Sequence, residues 1–227
     1  MILSPYHRIQ VEFPKNLEED CCPLCQSASE PFYKNKFRTY SKCNNCLSVY
    51  MDSYFFPTPE DEKKRYLEHN NDILDIRYQN FLKPIVDQVL THQNSDDDGL
   101  DYGAGPGPVV QHLLSQSGYS IKLYDPFFHP DKERLTKFYD YIILTEVVEH
   151  FHSPKNEFSK LYNLLNKNGS LYILTHPYDD SINFEKWYYK NDQTHTFFYS
   201  KEAFEWICNH YGFQSLEIKD RIIRLKK

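Results

Sequence analysis

The bend LDYGAGPGP, residues 100–108, limits what this chain can fold into more than any other feature. It joins a strand-like run to a helical pattern, and it contains Gly103, Gly105 and Gly107. Glycine is required where a backbone turns sharply or passes close to a ligand. Asp125 ends the next predicted strand, 22 residues after Gly103, where a carboxylate can accept hydrogen bonds from ribose hydroxyls. The pattern therefore predicts a nucleoside site at the carboxyl ends of parallel strands.

Strand-like and helical patterns alternate over residues 96–227, which predicts an α/β domain with a mostly parallel sheet. Two short runs within 213–225 predict an antiparallel final strand pair. Only 15 residues separate Asp125 from Tyr141, too few for a helix, a strand and a second helix. We therefore expect the third-strand region of this sheet to be shortened.

Two further parts precede this domain. Residues 58–95 predict a helical lid or linker, because Thr58 and Pro59 suit the start of a helix. A second helix in this part should kink or break at Pro84, because proline removes a backbone donor and crowds the preceding turn. Residues 1–57 hold most of the cysteines and predict a small domain of their own.

Five of the six cysteines lie between positions 21 and 46. Cys22 with Cys25, and Cys43 with Cys46, form two C-x2-C pairs separated by 17 residues, a spacing typical of four thiolates around one Zn²⁺. The amino terminus has neither the basic cluster nor the apolar stretch of a secretory signal. We therefore expect a cytoplasmic protein with a structural zinc ribbon rather than disulfides.

Two ligand classes, dinucleotides and S-adenosylmethionine, compete for the glycine bend. Its G-x-G-x-G spacing lacks the last glycine of the dinucleotide fingerprint. The bend resembles motif I of the class I S-adenosylmethionine-dependent methyltransferases. Residues 139–150, YDYIILTEVVEH, are similar to the fourth strand and following turn of the ubiquinone-biosynthesis O-methyltransferases and their methyltransferase 23-type relatives.

This resemblance implies a Rossmann-like fold that binds S-adenosylmethionine. It places the cofactor against residues of the bend and of the following strand ends, which are Asp101, Gly103, Ala104, Gly105, Gly107, Asp125, Pro126, Phe127, Thr145 and Glu146. Phe127 and its neighbour Phe128 either wall the adenine or belong to the core.

The run EVVEH spaces Glu146, Glu149 and His150 at i, i+3 and i+4, on one face of a helical turn. The connection 176–199 adds His195. The set resembles the metal site of the small-RNA 3′-terminal ribose methyltransferases, which implies Mg²⁺ or Mn²⁺ held by all four residues. In a metal-free alternative, Glu146 and His150 shape the cofactor pocket and Glu149 pairs locally. For removal of the acceptor's proton, His195 is the first candidate and His150 the second, with Glu146 beside them.

The charge of the chain argues against a general nucleic-acid binder. The 26 Lys and Arg residues stand against 32 Asp and Glu, for a net charge of -6. No apolar run approaches the about 20 residues that a membrane helix needs. A small basic strip with interleaved aromatics, formed by Lys34, Lys36, Arg38 and Lys42, keeps contact with RNA as an alternative.

Together these patterns predict a methyltransferase that O-methylates a small molecule of sugar, quinone or natural-product type. One alternative is a divalent-metal-dependent RNA ribose methyltransferase. Another is a zinc-ribbon interaction protein on a methyltransferase fold that has lost turnover. No pattern indicates the identity of the acceptor, the pathway or an oligomeric state.

Overall fold

A computed structural model describes residues 21–68 and 71–227. The first 20 residues of the predicted ribbon domain lie outside the described part, as do residues 69 and 70 of the predicted lid. The described residues form a four-stranded sheet and a six-stranded sheet. Among them, no helix combines the length and the apolar character that crossing a membrane requires.

The smaller sheet carries the cysteine pairs. Its strands β1 (Ser29–Lys34), β2 (Thr39–Cys43) and β3 (Val49–Met51) are antiparallel neighbours. A fourth strand, Phe197–Phe198, comes from the far end of the chain and pairs with β3. The segment predicted as a small domain of its own therefore shares a sheet with the larger domain.

Two helices follow the smaller sheet. Helix α1 (Pro59–Leu67) begins where the Thr58 hydroxyl accepts a backbone N–H of the first turn, and no residue of α1 is buried. Helix α2 (Ile76–His92) begins at an Asp75 cap. The helix runs through Pro84 without a break, which corrects that part of the prediction. Its buried face spans the proline and holds it against the core through Leu82, Ile85, Val86 and Val89.

The larger sheet confirms the predicted α/β class. In chain order the strands, including β8 of the smaller sheet, are β4 (Gly99–Tyr102), β5 (Ile121–Tyr124), β6 (Tyr139–Thr145), β7 (Leu165–Leu174), β8 (Phe197–Phe198), β9 (Ser215–Lys219) and β10 (Ile222–Lys226). The strands of the larger sheet lie in the order β5-β4-β6-β7-β10-β9, parallel up to β7, with β10 antiparallel to both of its neighbours.

The shortened third-strand region is also confirmed. Strand β5 is the edge of the sheet, and a single 3-10 turn, Lys132–Thr136, lies between it and β6. Helices α3 (Val109–Ser115), α4 (Pro154–Leu164) and α5 (Lys201–Tyr211) complete the domain. Helices α2 and α3 pack on one face of the sheet, and α4 and α5 pack on the other. This arrangement leaves the carboxyl ends of β4, β5 and β6 facing one side of the domain.

Candidate functional site

A cavity of about 420 Å³ lies at the carboxyl ends of β4, β5 and β6. The glycine bend and the turns after β5 and β6 form its floor. Residues of α1, α2 and the connection between them complete its wall, among them Glu62, Tyr66, Asn71 and Tyr78. Most of the residues expected to contact a cofactor line it, namely Gly103, Ala104, Gly105, Asp125, Pro126, Phe127, Thr145 and Glu146.

The glycine bend has the conformation that its sequence predicts at two positions. Gly103 has φ +83° and Gly105 has φ +65°, a region that residues with a Cβ rarely adopt. The Gly103 N–H donates to the carbonyl of Tyr124 at 2.8 Å. The bend therefore turns sharply next to β5 and presents bare backbone to the cavity.

Gly107 has a different surrounding. It does not line the cavity, and a Cβ at this position would lie 1.9 Å from the backbone oxygen of Asn71. Because Gly107 has no side chain, the described part of the chain between α1 and α2 can pass close to the bend. Sequence reasoning did not find Asn71, because nothing local marks it.

Gly107→Ala should push the 71–75 connection away from the bend. We expect a lower melting temperature and about a tenfold loss of affinity for a nucleoside ligand, measured by thermal unfolding and calorimetry. Gly118→Ala is the control, because Gly118 has φ +82° but no atom within 4 Å of an added Cβ. That variant should lose stability through backbone strain and keep its affinity. Equal affinity loss in both variants would contradict this role of Gly107.

Asp125 ties the bend to the turn after β5. Its Oδ2 accepts the Gly105 N–H at 3.0 Å, and its Oδ1 accepts the N–H groups of Phe127 at 2.8 Å and Phe128 at 3.0 Å. The residue is 6% exposed and lines the cavity. An ionised carboxylate offers about four acceptor positions. Asp125 thus fixes the protein's own backbone and keeps acceptor capacity for a ligand hydroxyl. Phe127 lines the cavity, packing against Tyr66 at 5.8 Å between ring centroids.

Asp101 lies behind the cavity wall rather than on its surface. It is 2% exposed, and its Oδ1 has no hydrogen-bond partner among the described residues. Burial raises the pKa of this carboxyl to about 7, and the nearby charge of Asp125 adds to the shift. A buried carboxylate with one oxygen that no described residue contacts favours a cationic ligand near it.

Asp101→Asn should therefore stabilise the ligand-free protein at pH 8 more than at pH 5. The folded pKa lies above the unfolded value, so the stability contribution of this group is present at low pH and is lost as the pH rises through about 7. We expect the melting temperature to rise by about 2–6 °C at pH 8. The exposed Asp87→Asn is the control and should change it little. A pH-independent shift would contradict the assignment.

Glu146 does not join the other predicted metal ligands. Its Oε1 accepts from Arg221 at 2.6 Å, and its backbone has φ +53°. Arg221 lies in the turn between β9 and β10, and its guanidinium also lies over the rings of Phe81 and Tyr189. The structure therefore brings together three residues of the four-ligand set implied by the resemblance and places Glu146 in an ion pair at the cavity wall.

The other three predicted ligands do come together. Glu149, His150 and His195 each offer a ligand atom, and these atoms all lie within 4.8 Å of one another. Glu149 is 1% exposed and accepts from the hydroxyls of Tyr189 and Thr175. Burial raises the pKa of Glu149 to about 8, and the charge of Glu146 adds to the shift.

Both imidazoles have their orientation set by backbone carbonyls. His150 Nδ1 lies 2.9 Å from the Thr194 oxygen, and His195 Nδ1 lies 2.8 Å from the Tyr189 oxygen. A carbonyl only accepts, so each Nδ1 is the donor and each Nε2 is the basic nitrogen of the neutral ring. His150 lines the cavity, and His195 lies behind it with ring centroids 4.7 Å apart. Of the two predicted candidates for the base, His150 is the one that reaches the cavity.

Helix α1 is fastened over the cavity by polar contacts. Arg65 pairs with Asp192 at 2.9 Å, and Glu62 lies 3.0 Å from His152. The Tyr66 ring meets the His150 ring edge-on at 5.2 Å. These contacts hold α1 against the wall of the cavity.

The cysteine pairs converge as predicted from their spacing. The Sγ atoms of Cys22 and Cys46 lie 3.6 Å apart, those of Cys25 and Cys43 lie 3.4 Å apart, and no disulfide joins them. All four sulfurs lie within 4.8 Å of one another. Four thiolates this close together repel one another, so an additional positive charge is needed to hold them. The donor set therefore fits one tetrahedral Zn²⁺.

The basic strip is partly used inside the protein. Lys42 pairs with Asp180 at 2.5 Å. The Arg38 guanidinium donates to the backbone oxygens of Lys190 and Asp192. These two cations of the strip therefore do not form an open surface for a phosphate backbone.

Comparison with known proteins identifies a family for most of the chain. A family model described as a methyltransferase domain matches residues 74–218. No curated protein matches the sequence.

Several solved structures share the fold at low sequence identity. The 1,6-didemethyltoxoflavin-N1-methyltransferase of Burkholderia thailandensis, with bound 1,6-didemethyltoxoflavin and S-adenosylhomocysteine, has a TM-score of 0.51 at 14% identity, covering 87% of this chain and 99% of that chain. A SAM dependent methyltransferase from Archaeoglobus fulgidus has a TM-score of 0.52 at 16% identity, covering 66% and 94%. An O-methyltransferase family protein from Burkholderia thailandensis has a TM-score of 0.51 at 12% identity, covering 73% and 61%.

Proposed function

Because the chain belongs to the methyltransferase domain family, we propose that this S-adenosylmethionine-dependent methyltransferase acts on an oxygen of a small molecule. The observation that carries the proposal is the His150 imidazole on the cavity wall. Its Nδ1 is fixed as a donor at 2.9 Å from the Thr194 carbonyl. The Nε2 atom is therefore the basic nitrogen, suited to take a proton from a hydroxyl group.

The cavity fits the cofactor through features of this chain. The side-chain-free bend at Gly103 and Gly105 admits a ligand close to the backbone, and Asp125 has acceptor capacity for a ribose hydroxyl. The buried carboxyl of Asp101, whose Oδ1 has no partner among the described residues, suits the cationic end of S-adenosylmethionine. Phe127 and Tyr66 offer ring faces for the adenine.

Bound S-adenosylmethionine supplies a methyl group on a sulfonium, and in-line transfer leaves the carbon–sulfur bonding pair on sulfur. The protein orients the acceptor and accepts its proton at His150 Nε2. His195 packs edge-on against His150 and is a positioning residue. Closure of α1 over the cavity excludes water from the site.

Calorimetry with S-adenosylhomocysteine tests the cofactor part of this proposal. Transfer of labelled methyl groups to panels of hydroxylated small molecules then tests the acceptor part. Failure of the zinc-loaded protein to bind S-adenosylhomocysteine would overturn the cofactor assignment. Cofactor binding without transfer to any panel or to RNA would favour the interaction-protein alternative.

A second candidate function uses a divalent ion. Glu149, His150 and His195 form a carboxylate and two-imidazole set, and the hydrogen bonds that both Nδ1 atoms donate to backbone carbonyls are of the kind that orient metal ligands. Imidazole ligands suit Mn²⁺ better than Mg²⁺. An ion held by these three residues would bind the acceptor oxygen and lower the pKa of the acceptor hydroxyl. The three residues alone do not supply this effect.

Calorimetric or paramagnetic titration with Mn²⁺ separates the two candidates. The metal candidate predicts one bound Mn²⁺ that Glu149→Gln and His195→Gln each remove, in protein whose zinc site is already filled. Glu146→Gln is the matched control and should retain the ion, because Glu146 pairs with Arg221. Absence of binding at millimolar Mn²⁺ would leave the imidazole base as the proposal.

RNA is not our proposed acceptor. The basic strip that suggested it is partly committed to internal contacts by Lys42 and Arg38. The cavity lining instead mixes aromatic rings with a few polar groups, as small-molecule sites do.

A further inference from the structure

Strand β8 belongs to the smaller sheet, and this sheet with its four clustered cysteines is here called the ribbon. Tyr50 of β3 pairs with Phe197, and the two rings stack at 6.0 Å with an interplanar angle of 11°. The Met51 N–H donates to the Thr196 oxygen at 2.8 Å. Since β3 begins three residues after Cys46, the position of β8 depends on where the second cysteine pair holds β3.

Two further contacts join the ribbon to the 189–200 segment. The Ser200 hydroxyl donates to the Cys46 oxygen at 2.5 Å, in a buried position. Near the other end, Arg38 Nη1 lies 3.3 Å from the Lys190 oxygen and 3.4 Å from the Asp192 oxygen. The ribbon therefore holds this segment at both ends and in its middle.

The same segment sets the orientation of the imidazoles. Its Thr194 oxygen accepts from His150 Nδ1 at 2.9 Å, and it carries His195 itself. The Thr196 N–H donates to the Glu149 oxygen at 2.8 Å. A continuous path of hydrogen bonds and strand pairing thus leads from the second cysteine pair to the imidazole of His150.

We infer that zinc binding by the ribbon positions His150 through the 189–200 segment, so that Zn²⁺ assembles the acceptor side of the site while the cofactor side forms without it. The role of His150 rests on the proposed function. The physical reason is that four clustered thiols repel one another as thiolates unless a cation joins them. The ion thereby fixes the end of β3 and, with it, the register of β8.

The cofactor cavity does not depend on this path in the same way. Among the described residues, none from 189–200 and none of the four clustered cysteines lines it. Its floor is made by the glycine bend and by Asp125, which belong to the larger sheet. The segment meets the cavity wall at its edge, through the Arg65 to Asp192 ion pair and through the contacts of Thr194 with His150 and of Thr196 with Phe151.

Removal of zinc by a chelator, followed by its return, tests the inference without an acceptor. Three quantities are measured: amide exchange at Thr196, the ¹⁵N tautomer signature of the His150 ring, and the affinity for S-adenosylhomocysteine. We expect exchange at Thr196 to rise by at least about tenfold, and the fixed Nδ1–H form of His150 to be lost. The affinity should fall by less than about fivefold, and Zn²⁺ alone should restore the first two.

Arg38→Met in the zinc-loaded protein covers the case in which chelation unfolds the whole chain. This variant leaves all four thiolates intact and removes the two contacts to the segment. It should raise exchange at Thr196 by about threefold to tenfold. The control is Lys36→Met on the same turn, where the side chain is exposed, and it should change nothing.

Unchanged exchange and an unchanged His150 tautomer after zinc removal and in Arg38→Met would overturn the inference. The inference would also be overturned if the affinity for S-adenosylhomocysteine fell as much as the protection of the Thr196 amide from exchange, both after zinc removal and in Arg38→Met. The ribbon would then support the whole fold. If the loaded wild-type protein fails to bind S-adenosylhomocysteine, the proposed function fails, and exchange at Thr196 still decides the coupling.

Discussion

Asp125→Ala lowers the affinity for S-adenosylhomocysteine by about 10²–10⁴-fold in calorimetry, the largest effect expected from one change at the cofactor side. The carboxylate keeps one acceptor position for a ribose hydroxyl, a hydrogen bond that contributes about 1.5–3 kcal/mol, and the disturbed bend adds to the loss. The substitution also removes the acceptor for three backbone N–H groups, of Gly105, Phe127 and Phe128. The bend therefore loses its tie to the turn after β5.

Asp131→Ala is a matched control on the same connection. Asp131 accepts one backbone N–H from Glu133 and pairs with Arg134 at 3.0 Å, but it does not line the cavity. We expect it to change the affinity by less than about twofold. Asp125→Asn keeps the shape of the side chain and should fall between the two. Unchanged affinity in Asp125→Ala would move the ribose elsewhere in the cavity.

Features encoded by neighbouring residues could be predicted from the sequence. The bend at Gly103 and Gly105, the strand end at Asp125 and the two cysteine pairs each carry their signal within a few positions. The short connection between β5 and β6 also predicted a shortened third-strand region, and the structure confirms this because β5 is the edge strand of the sheet. Such signals come from backbone conformation and spacing, which act locally.

Features made by distant pairs could not be predicted. Arg221 pairs with Glu146 across 75 positions, and nothing near either residue announces the pair. The i, i+4 pattern suggested one shared face for Glu146 and His150, but a positive φ at Glu146 turns its side chain toward Arg221. Strand β8 is too short to show a period of its own, since only Phe197 and Phe198 form it.

His150→Gln should lower kcat by about 10²–10⁴-fold with the acceptor that the methyl-transfer panels identify, and leave the affinity for S-adenosylhomocysteine within about threefold. Glutamine retains hydrogen-bonding atoms but cannot take up the proton. His195→Gln acts through His150 and should lower kcat less, with a shift of the acid limb of the pH–rate profile. Steady-state kinetics between pH 5 and pH 9 measures both effects.

His176→Gln separates a specific role of His150 from general disturbance of this aromatic region. His176 contacts Trp187 and Tyr189 at 5.1 Å and 5.5 Å but does not line the cavity, so kcat should stay within about threefold.

With an imidazole base, the kcat of the His150 variant should recover at high pH, because hydroxide then removes the acceptor's proton. With a bound ion at Glu149, His150 and His195, the wild-type protein should instead require Mn²⁺, and added Mn²⁺ should not restore the variant, which has lost a ligand. A His150→Gln variant with full activity at every pH would exclude both, and the acceptor would then be a group that carries no proton to remove.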